Sequence, residues 1–349
     1  MGKMMKAAVF KGIGKMEIEE KEIPQCPKGG ILVKVIACGI CGGDIRNFRN
    51  GLRNGATDQI MGHEIGGEVV EVSGEDTGWK VGDRVAVGPD VSCGKCYYCR
   101  KGMVNLCNDH RMLGTHFPGG FAQYIALPRF VLERGFVEPI PEGMSYDHAA
   151  FAEPVSGVLA CQERAGISYG DTVVVIGDGP VGCLHMEAAK ARGASLIIML
   201  ARGRIEQARK FGFEHLIYNK DSEEATRKVK ELTGPGADVV ICAVPNAAAQ
   251  QQALELVKKR GQIIIYGGVP KNSPMTTLDS NKIHYDEIVI TGSFSYPSVG
   301  IENALKAMHR RDIHTEKYLS AKVPLDRIVE GMDMVTRGEA LKVLVDPWA

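Results

Sequence analysis

Short runs of apolar and β-branched residues, separated by Gly, Pro and Asp, dominate the chain up to about residue 150. "ILVKVIACGI", "GGEVVEVSG" and "FAQYIALP" are typical of them. Apolar residues that alternate or cluster over short stretches between turn residues indicate β-strands rather than helices. The pattern predicts a β-rich domain over residues 1–154.

Strands and helices alternate from about residue 155 onward. "TVVVIGDGPVG" leads into "CLHMEAAKARG", and "SLIIML", "ADVVICAV" and "GQIIIYGG" each adjoin a segment with helical periodicity. Apolar strands that alternate with amphipathic helices are typical of a parallel sheet covered on both faces. We predict a doubly wound α/β domain over residues 155–295. Residues 296–349 return to a helix and a final strand, "LKVLVDP", and we expect them to complete the first domain.

Size and charge agree with two domains and exclude two classes of partner. The chain has 349 residues, whereas single hydrophobic cores stop growing near about 250 residues. Its 42 basic and 42 acidic side chains cancel, so no excess of basic charge favours nucleic acid. No apolar run approaches the roughly 18 residues of a membrane span, and the N-terminus lacks the apolar core of a signal peptide. We expect a cytoplasmic protein that binds neither nucleic acid nor membrane.

Four cysteines lie close together in "CGKCYYCRKGMVNLC" with the spacing C-x2-C-x2-C-x7-C. Thiolates at such short intervals let one loop surround a tetrahedral metal ion. Disulfide bonds are the alternative, and a reducing cytoplasm disfavours them. Four thiolates leave no coordination position open, so we predict a structural zinc site formed by Cys93, Cys96, Cys99 and Cys107.

A G-x-G-x-x-G motif follows one predicted strand and precedes a helix. Gly177 permits the tight turn, Gly179 lets the backbone approach a pyrophosphate, and Gly182 lets helix and strand pack closely. We predict that these glycines, with Pro180 and Val181, bind a dinucleotide at the N-terminus of the helix.

The end of the next strand bears on the choice between NAD and NADP. NAD-binding domains usually carry an acid there, about 20 residues after the glycine motif, to accept the ribose 2′-hydroxyl. "IIMLARGR" contains none, and Arg202 and Arg204 could instead pair with a 2′-phosphate. The segment therefore favours NADP. Alternatively, the arginines are solvated at the start of the next helix, and NAD is then accepted.

A second set of metal-binding residue types is spread over separate segments. Cys41 lies in "CGICGGD", His63 and Glu64 lie in "GHEIGGE", and Glu153 lies in "AEPVSG". Cys, His and carboxylate ligands are typical of a catalytic zinc, which keeps one position open for water or substrate. Each residue alone has an ordinary alternative as a core thiol, a loop histidine or a surface carboxylate.

The order of these segments resembles the zinc-dependent medium-chain dehydrogenase/reductase family over nearly the whole chain. The likeness rests on "GICGGD", "GHEIGGEVVEV", the four-cysteine segment, "GGFAQYIALP", "EPVSG" and "VIGDGPVG". It is greatest to the sorbitol and iditol dehydrogenases, with threonine and butanediol dehydrogenases close to them. The resemblance implies a GroES-like catalytic domain made from both chain ends, a Rossmann domain between them, and two zinc ions per chain in a homo-oligomer, a dimer or tetramer.

The resemblance also implies roles for single residues. It assigns the catalytic zinc to Cys41, His63 and a carboxylate that is either Glu64 or Glu153, and it makes Asp44 the acid that orients the histidine. A glutamate at 153 favours a polyol or other secondary alcohol over simple primary alcohols.

The implied reaction is hydride transfer between a secondary alcohol, a polyol or a sugar derivative, and NAD(P). Carbonyl reduction, sugar-acid oxidation and a catalytically silent nucleotide-binding role remain as alternatives. Two residues depart from the family pattern: Gly43 replaces a Ser or Thr hydroxyl, and Arg46 replaces a His. Arg46 either binds a carboxylate or phosphate of the substrate or is a solvated surface residue.

Overall fold

The computed structural model describes residues 2–349 and contains eighteen β-strands and twelve α-helices within them. The strands are, in chain order, β1 (Met4–Gly12), β2 (Lys15–Glu22), β3 (Ile31–Gly39), β4 (Gln59–Ile60), β5 (Glu64–Val72), β6 (Arg84–Gly88), β7 (Asp90–Val91), β8 (Arg111–Met112), β9 (Tyr124–Leu127), β10 (Phe136–Pro139), β11 (Thr172–Ile176), β12 (Leu196–Ala201), β13 (His215–Tyr218), β14 (Ala237–Cys242), β15 (Val257–Ile265), β16 (Val289–Gly292), β17 (Leu319–Pro324) and β18 (Lys342–Asp346).

The helices lie mostly in the second half of the chain. They are α1 (Gly42–Asn50), α2 (Tyr97–Arg100), α3 (Arg129–Arg134), α4 (Tyr146–Ala149), α5 (Ala152–Arg164), α6 (Pro180–Ala191), α7 (Ile205–Arg209), α8 (Ser222–Thr233), α9 (Ala247–Leu256), α10 (Ser280–Tyr285), α11 (Gly300–His309) and α12 (Ile328–Arg337). Among residues 2–349, none of them is both long enough and apolar enough to cross a membrane.

The first compact unit comprises residues 2–156, 296–311 and 318–349. Its main sheet has the order β10-β6-β5-β3-β18-β17, and β9 also pairs with β3. The side chains of Val33 and Val35 on β3 are fully buried, as expected of a strand whose apolar residues face a core. The last strand, β18, pairs antiparallel with β3, so residues from both ends of the chain lie side by side in one sheet.

The second compact unit comprises residues 157–295 and 312–317. Its six strands are all parallel and have the order β13-β12-β11-β14-β15-β16. Numbered within the unit, this is the order 3-2-1-4-5-6 of the doubly wound nucleotide-binding fold. The prediction of a doubly wound parallel sheet is confirmed. The strand order reverses between β11 and β14, and ligands bind at such reversals in folds of this kind.

Candidate active site

The four-cysteine segment folds around a common centre in the first unit. The Sγ atoms of Cys96 and Cys99 are 3.5 Å apart, those of Cys93 and Cys99 are 3.9 Å apart, and those of Cys96 and Cys107 are 4.0 Å apart. Zinc–sulfur bonds of about 2.3 Å in a tetrahedron require sulfur atoms about 3.8 Å apart. Backbone N–H groups of Cys99 and Asn108 lower the pKa of Cys96 to about 6. The segment therefore fits a zinc ion with four thiolate ligands.

A second cluster brings together ligand atoms of Cys41, His63 and Glu64, all within 4.8 Å of one another. Cys41 is the N-cap of α1, and its Sγ accepts a hydrogen bond of 3.4 Å from the backbone N–H of Gly43. Glu64 is the first residue of β5, and His63 directly precedes it. The start of a helix and the start of a strand thus position a thiol, an imidazole and a carboxylate together, a donor set that suits a catalytic zinc.

Asp44 fixes both the cysteine and the histidine of this cluster. Its Oδ2 accepts the Cys41 backbone N–H at 3.0 Å, and its Oδ1 lies 3.1 Å from Nδ1 of His63. Burial alone would lower the pKa of His63, but the pairing with Asp44 outweighs it and raises that pKa. Because Nδ1 is engaged by the carboxylate, Nε2 is the ring nitrogen left for a metal.

Glu64 is fully buried and already has a cationic partner. Both of its oxygens lie 2.7 Å from Nζ of Lys342, which also donates to the Ile40 carbonyl at 3.2 Å. On the other side it packs against Gly39, where a Cβ would lie 1.9 Å from Glu64 Oε2. The sequence patterns did not indicate Lys342, whose only signal is a charged residue at the head of a strand with three apolar residues after it.

Glu153, in the first turn of α5, does not belong to the group of ligand atoms around Cys41. Burial raises its pKa to about 8, the neighbouring His63 opposes that rise, and Glu64 and Asp90 add to it. Its side chain forms no hydrogen bond or ion pair with any of residues 2–349. The predicted carboxylates therefore differ: Glu64 is near the ligands and paired, whereas Glu153 is further away and unpaired.

The glycine loop of the second unit forms a tight turn that leads directly into α6. Gly177 has φ +131°, and a Cβ at Gly182 would lie 2.0 Å from the Gly177 carbonyl oxygen, so larger residues are excluded. Gly179 is the N-cap of α6 and Pro180 is its first residue. No side chain caps this helix in the described part of the chain, so its first N–H groups are available to an anion. Val181 lies in the first turn.

Asp178, inside the glycine motif, reaches the turn that follows β12. Its Oδ2 accepts the backbone N–H groups of Arg202 at 2.9 Å and Gly203 at 2.7 Å, and also that of Arg204. The Arg202 side chain is exposed. The Arg204 guanidinium points back over the loop, with Nη1 3.9 Å from the position of a Cβ on Gly179. A carboxylate therefore does lie at the C-terminal end of β12. It belongs to Asp178, which follows β11, because β12 itself contains no acidic residue.

Comparisons with known proteins cover both units. Residues 27–135 match the family of alcohol dehydrogenase GroES-like domains, and residues 180–310 match the zinc-binding dehydrogenases. The sorbitol dehydrogenase of Bacillus subtilis (strain 168) is 35% identical, over 98% of this chain and 97% of its own length. The D-arabitol-phosphate dehydrogenase of Enterococcus avium is 31% identical, over 96% of this chain and 95% of its own length.

A solved structure with the same fold contains a nucleotide cofactor. It is a zinc-binding dehydrogenase from Sinorhizobium meliloti 1021 bound to NADP, with a TM-score of 0.87 and 29% identity over 99% of this chain and 100% of that one.

Proposed function

Because the chain belongs to the zinc-dependent medium-chain dehydrogenase family, in the neighbourhood of the polyol dehydrogenases, we propose that it oxidises a secondary alcohol of a polyol or sugar derivative. In the balanced reaction a hydride, with its two electrons, passes from the carbinol carbon to the nicotinamide of NAD(P). The hydroxyl proton leaves separately, and the products are a ketone and the reduced nucleotide.

The observation that carries this proposal is the cluster of Cys41, His63 and Glu64 with Asp44 behind the histidine. A zinc ion held there would supply Lewis-acid polarisation of the substrate oxygen. The chain's own part is to hold the thiol and imidazole in fixed positions. Asp44 does this through one carboxylate, because it bonds to the backbone of Cys41 and to the ring of His63 at once.

We propose different roles for the two glutamates, Glu64 and Glu153. Glu64 has both oxygens bonded to Lys342, so it is proposed as a positioning residue beside the ligands. Glu153 has no such partner and is proposed as the carboxylate that completes the metal site or accepts the substrate proton. Gly43 has no hydroxyl to accept that proton, so we propose a carboxylate route, with a hydroxyl of the substrate itself as the alternative.

A panel of neutral polyols, polyol phosphates, sugar acids and amino alcohols, offered with NAD and with NADP, tests the proposal. We expect zinc-loaded protein to reduce the nucleotide with at least one of the first three groups, measured as absorbance of the reduced nicotinamide. Removal of zinc by a chelator should stop the reaction, and added zinc should restore it. Tight nucleotide binding without turnover of any compound would favour the silent nucleotide-binding role.

We propose a preference for NADP over NAD, of modest size. Arg202 is exposed after β12 and forms no ion pair with any residue in the described part of the chain. The carboxylate of Asp178 lies at the same turn, and its negative charge opposes a 2′-phosphate. The two effects have opposite signs, which is why the preference should be small.

Substituting Arg202 with Ala should weaken NADP binding about tenfold and leave NAD binding nearly unchanged, because a charge-assisted contact to phosphate contributes roughly 1.5 kcal/mol. Dissociation constants from fluorescence titration of the protein with each nucleotide measure this. Arg209→Ala is the matched control, since Arg209 is exposed on α7 and paired with Glu206. An unchanged ratio of the two dissociation constants in Arg202→Ala would show that Arg202 does not contribute to the preference for NADP.

The cytoplasmic location and the dimeric or tetrameric state remain predictions.

A further inference from the structure

Two arginines, of which Arg46 borders the Cys41 cluster and Arg53 lies near Arg46, have no acidic partner among residues 2–349. Arg46 lies on α1 and Arg53 follows that helix, and both are exposed. Neither forms a hydrogen bond or an ion pair with any of residues 2–349, although the chain carries 42 acidic side chains. Arg49, on the same helix, has partners: it donates to Thr336 at 3.1 Å and lies 3.9 Å from Asp333.

The two guanidinium groups also act on each other. The pKa of Arg53 is lowered, first by partial burial and second by the positive charge of Arg46. Two adjacent cations without a counterion repel, and an anion placed between them would relieve that repulsion. Guanidinium groups are suited to this task because their planar forks match the oxygen atoms of carboxylates and phosphates.

Arg46 faces the predicted metal ligands across a small gap. The position that a Cβ on Gly43 would occupy is 3.7 Å from Sγ of Cys41, 3.8 Å from Cε1 of His63 and 3.9 Å from Nη2 of Arg46. One point therefore lies within 4 Å of both ligand residues and of the guanidinium, and the glycine leaves it open. A substrate at the metal ligands is within reach of Arg46.

We infer that the substrate carries an anionic group, a phosphate or a carboxylate, and that Arg46 and Arg53 bind this group while the reacting alcohol lies at Cys41 and His63. The inference rests on the proposed function and narrows its substrate class from polyols in general to polyol phosphates and sugar acids. Polyol phosphates and sugar acids both carry a terminal group of negatively charged oxygen atoms.

The test compares three compounds that differ at one end only: arabitol, arabitol 5-phosphate and arabinonate. We expect kcat/KM for at least one anionic compound to exceed that for arabitol at least tenfold. Whichever anion is preferred identifies the source as a phosphate or a carboxylate. Arg46→Gln and Arg53→Gln should each reduce this selectivity ratio about tenfold to a hundredfold, as expected for a charge-assisted hydrogen bond. Arg49→Gln is the matched control and should leave the ratio unchanged.

A binding measurement without turnover separates this inference from the proposed function. Arabitol 5-phosphate and arabinonate are added to zinc-loaded protein without nucleotide, and the thermal unfolding temperature is recorded. We expect a rise with at least one of them in the wild type and in Arg49→Gln, and a smaller rise in Arg46→Gln and Arg53→Gln.

The outcomes are distinct. Equal or greater kcat/KM for neutral arabitol, with ratios unaffected by Arg46→Gln and Arg53→Gln, would overturn the anion site and leave the polyol dehydrogenase intact. Arginine-dependent binding of an anionic compound without oxidation of any polyol would support the anion site and contradict the proposed function.

Discussion

Replacing Cys41 with Ser should reduce kcat by at least about a thousandfold, because Lewis-acid stabilisation by a catalytic zinc contributes several kcal/mol and about 4 kcal/mol corresponds to that factor. A hydroxyl is a far poorer zinc ligand than a thiolate. The change should not unfold the protein, since Cys41 caps α1 through its Sγ and a Ser is itself a good N-cap residue.

Zinc content and turnover, measured on the same samples, check this expectation. Wild-type protein should contain about two zinc ions per chain and Cys41→Ser about one, on the ligand counts of a catalytic and a structural site. Cys99→Ser is the matched control: it should also lose one zinc ion, lower the thermal unfolding temperature and keep kcat nearly intact. Full turnover in Cys41→Ser would contradict a catalytic role for the Cys41 cluster. Loss of turnover in a folded Cys99→Ser would contradict a purely structural role for the four-cysteine site.

Replacing Lys342 with Met should lower the free energy of unfolding by about 3–5 kcal/mol, because it leaves the buried Glu64 carboxylate without its cation. Lys342 is 3% exposed and Glu64 is 0% exposed, so water cannot take over the lost contact. Urea unfolding followed by tryptophan fluorescence reports on the unit that contains Lys342, because both tryptophans, Trp79 and Trp348, belong to that unit.

Two further variants show whether the lost charge pairing is the cause. Lys322→Met removes a lysine that pairs with Asp147 and Asp346 but is one-third exposed, and it should cost less than about 1 kcal/mol. The double variant Glu64→Met with Lys342→Met should recover most of the stability, because neutral side chains of similar volume replace the pair. Equal losses of unfolding free energy in Lys342→Met and Lys322→Met would show that the buried ion pair stabilises the protein no more than the exposed one.

Much of the fold was predictable because its signals are local. The runs "VVVI" and "LIIML" are apolar throughout, as expected of strands in a parallel sheet that helices cover on both faces. The four cysteines span only fifteen positions, and the glycine motif only six, so the spacing within one segment already constrains their geometry. Cys41 and His63 were candidate metal ligands by residue type and by family resemblance, and their roles remain predictions.

Other features depend on contacts between distant segments, which no local pattern records. Lys342 meets Glu64 across 278 positions because β18 pairs with β3, next to β5. Asp178 meets the turn after β12 across 24 to 26 positions, in place of the acid expected within the strand.

The sequence by itself therefore indicated the two kinds of domain and the predicted four-cysteine site, because periodic burial and short spacings act within single segments. The family and the candidate residues around Cys41 followed from the resemblance of several ordered segments. Only the tertiary structure decided that Glu64 is paired and Glu153 is not, and that Asp178 lies at the turn after β12. It also decided which arginine near α1 has an acidic partner. Those distinctions depend on distances between side chains, and the path of the chain sets these distances only when the strands assemble.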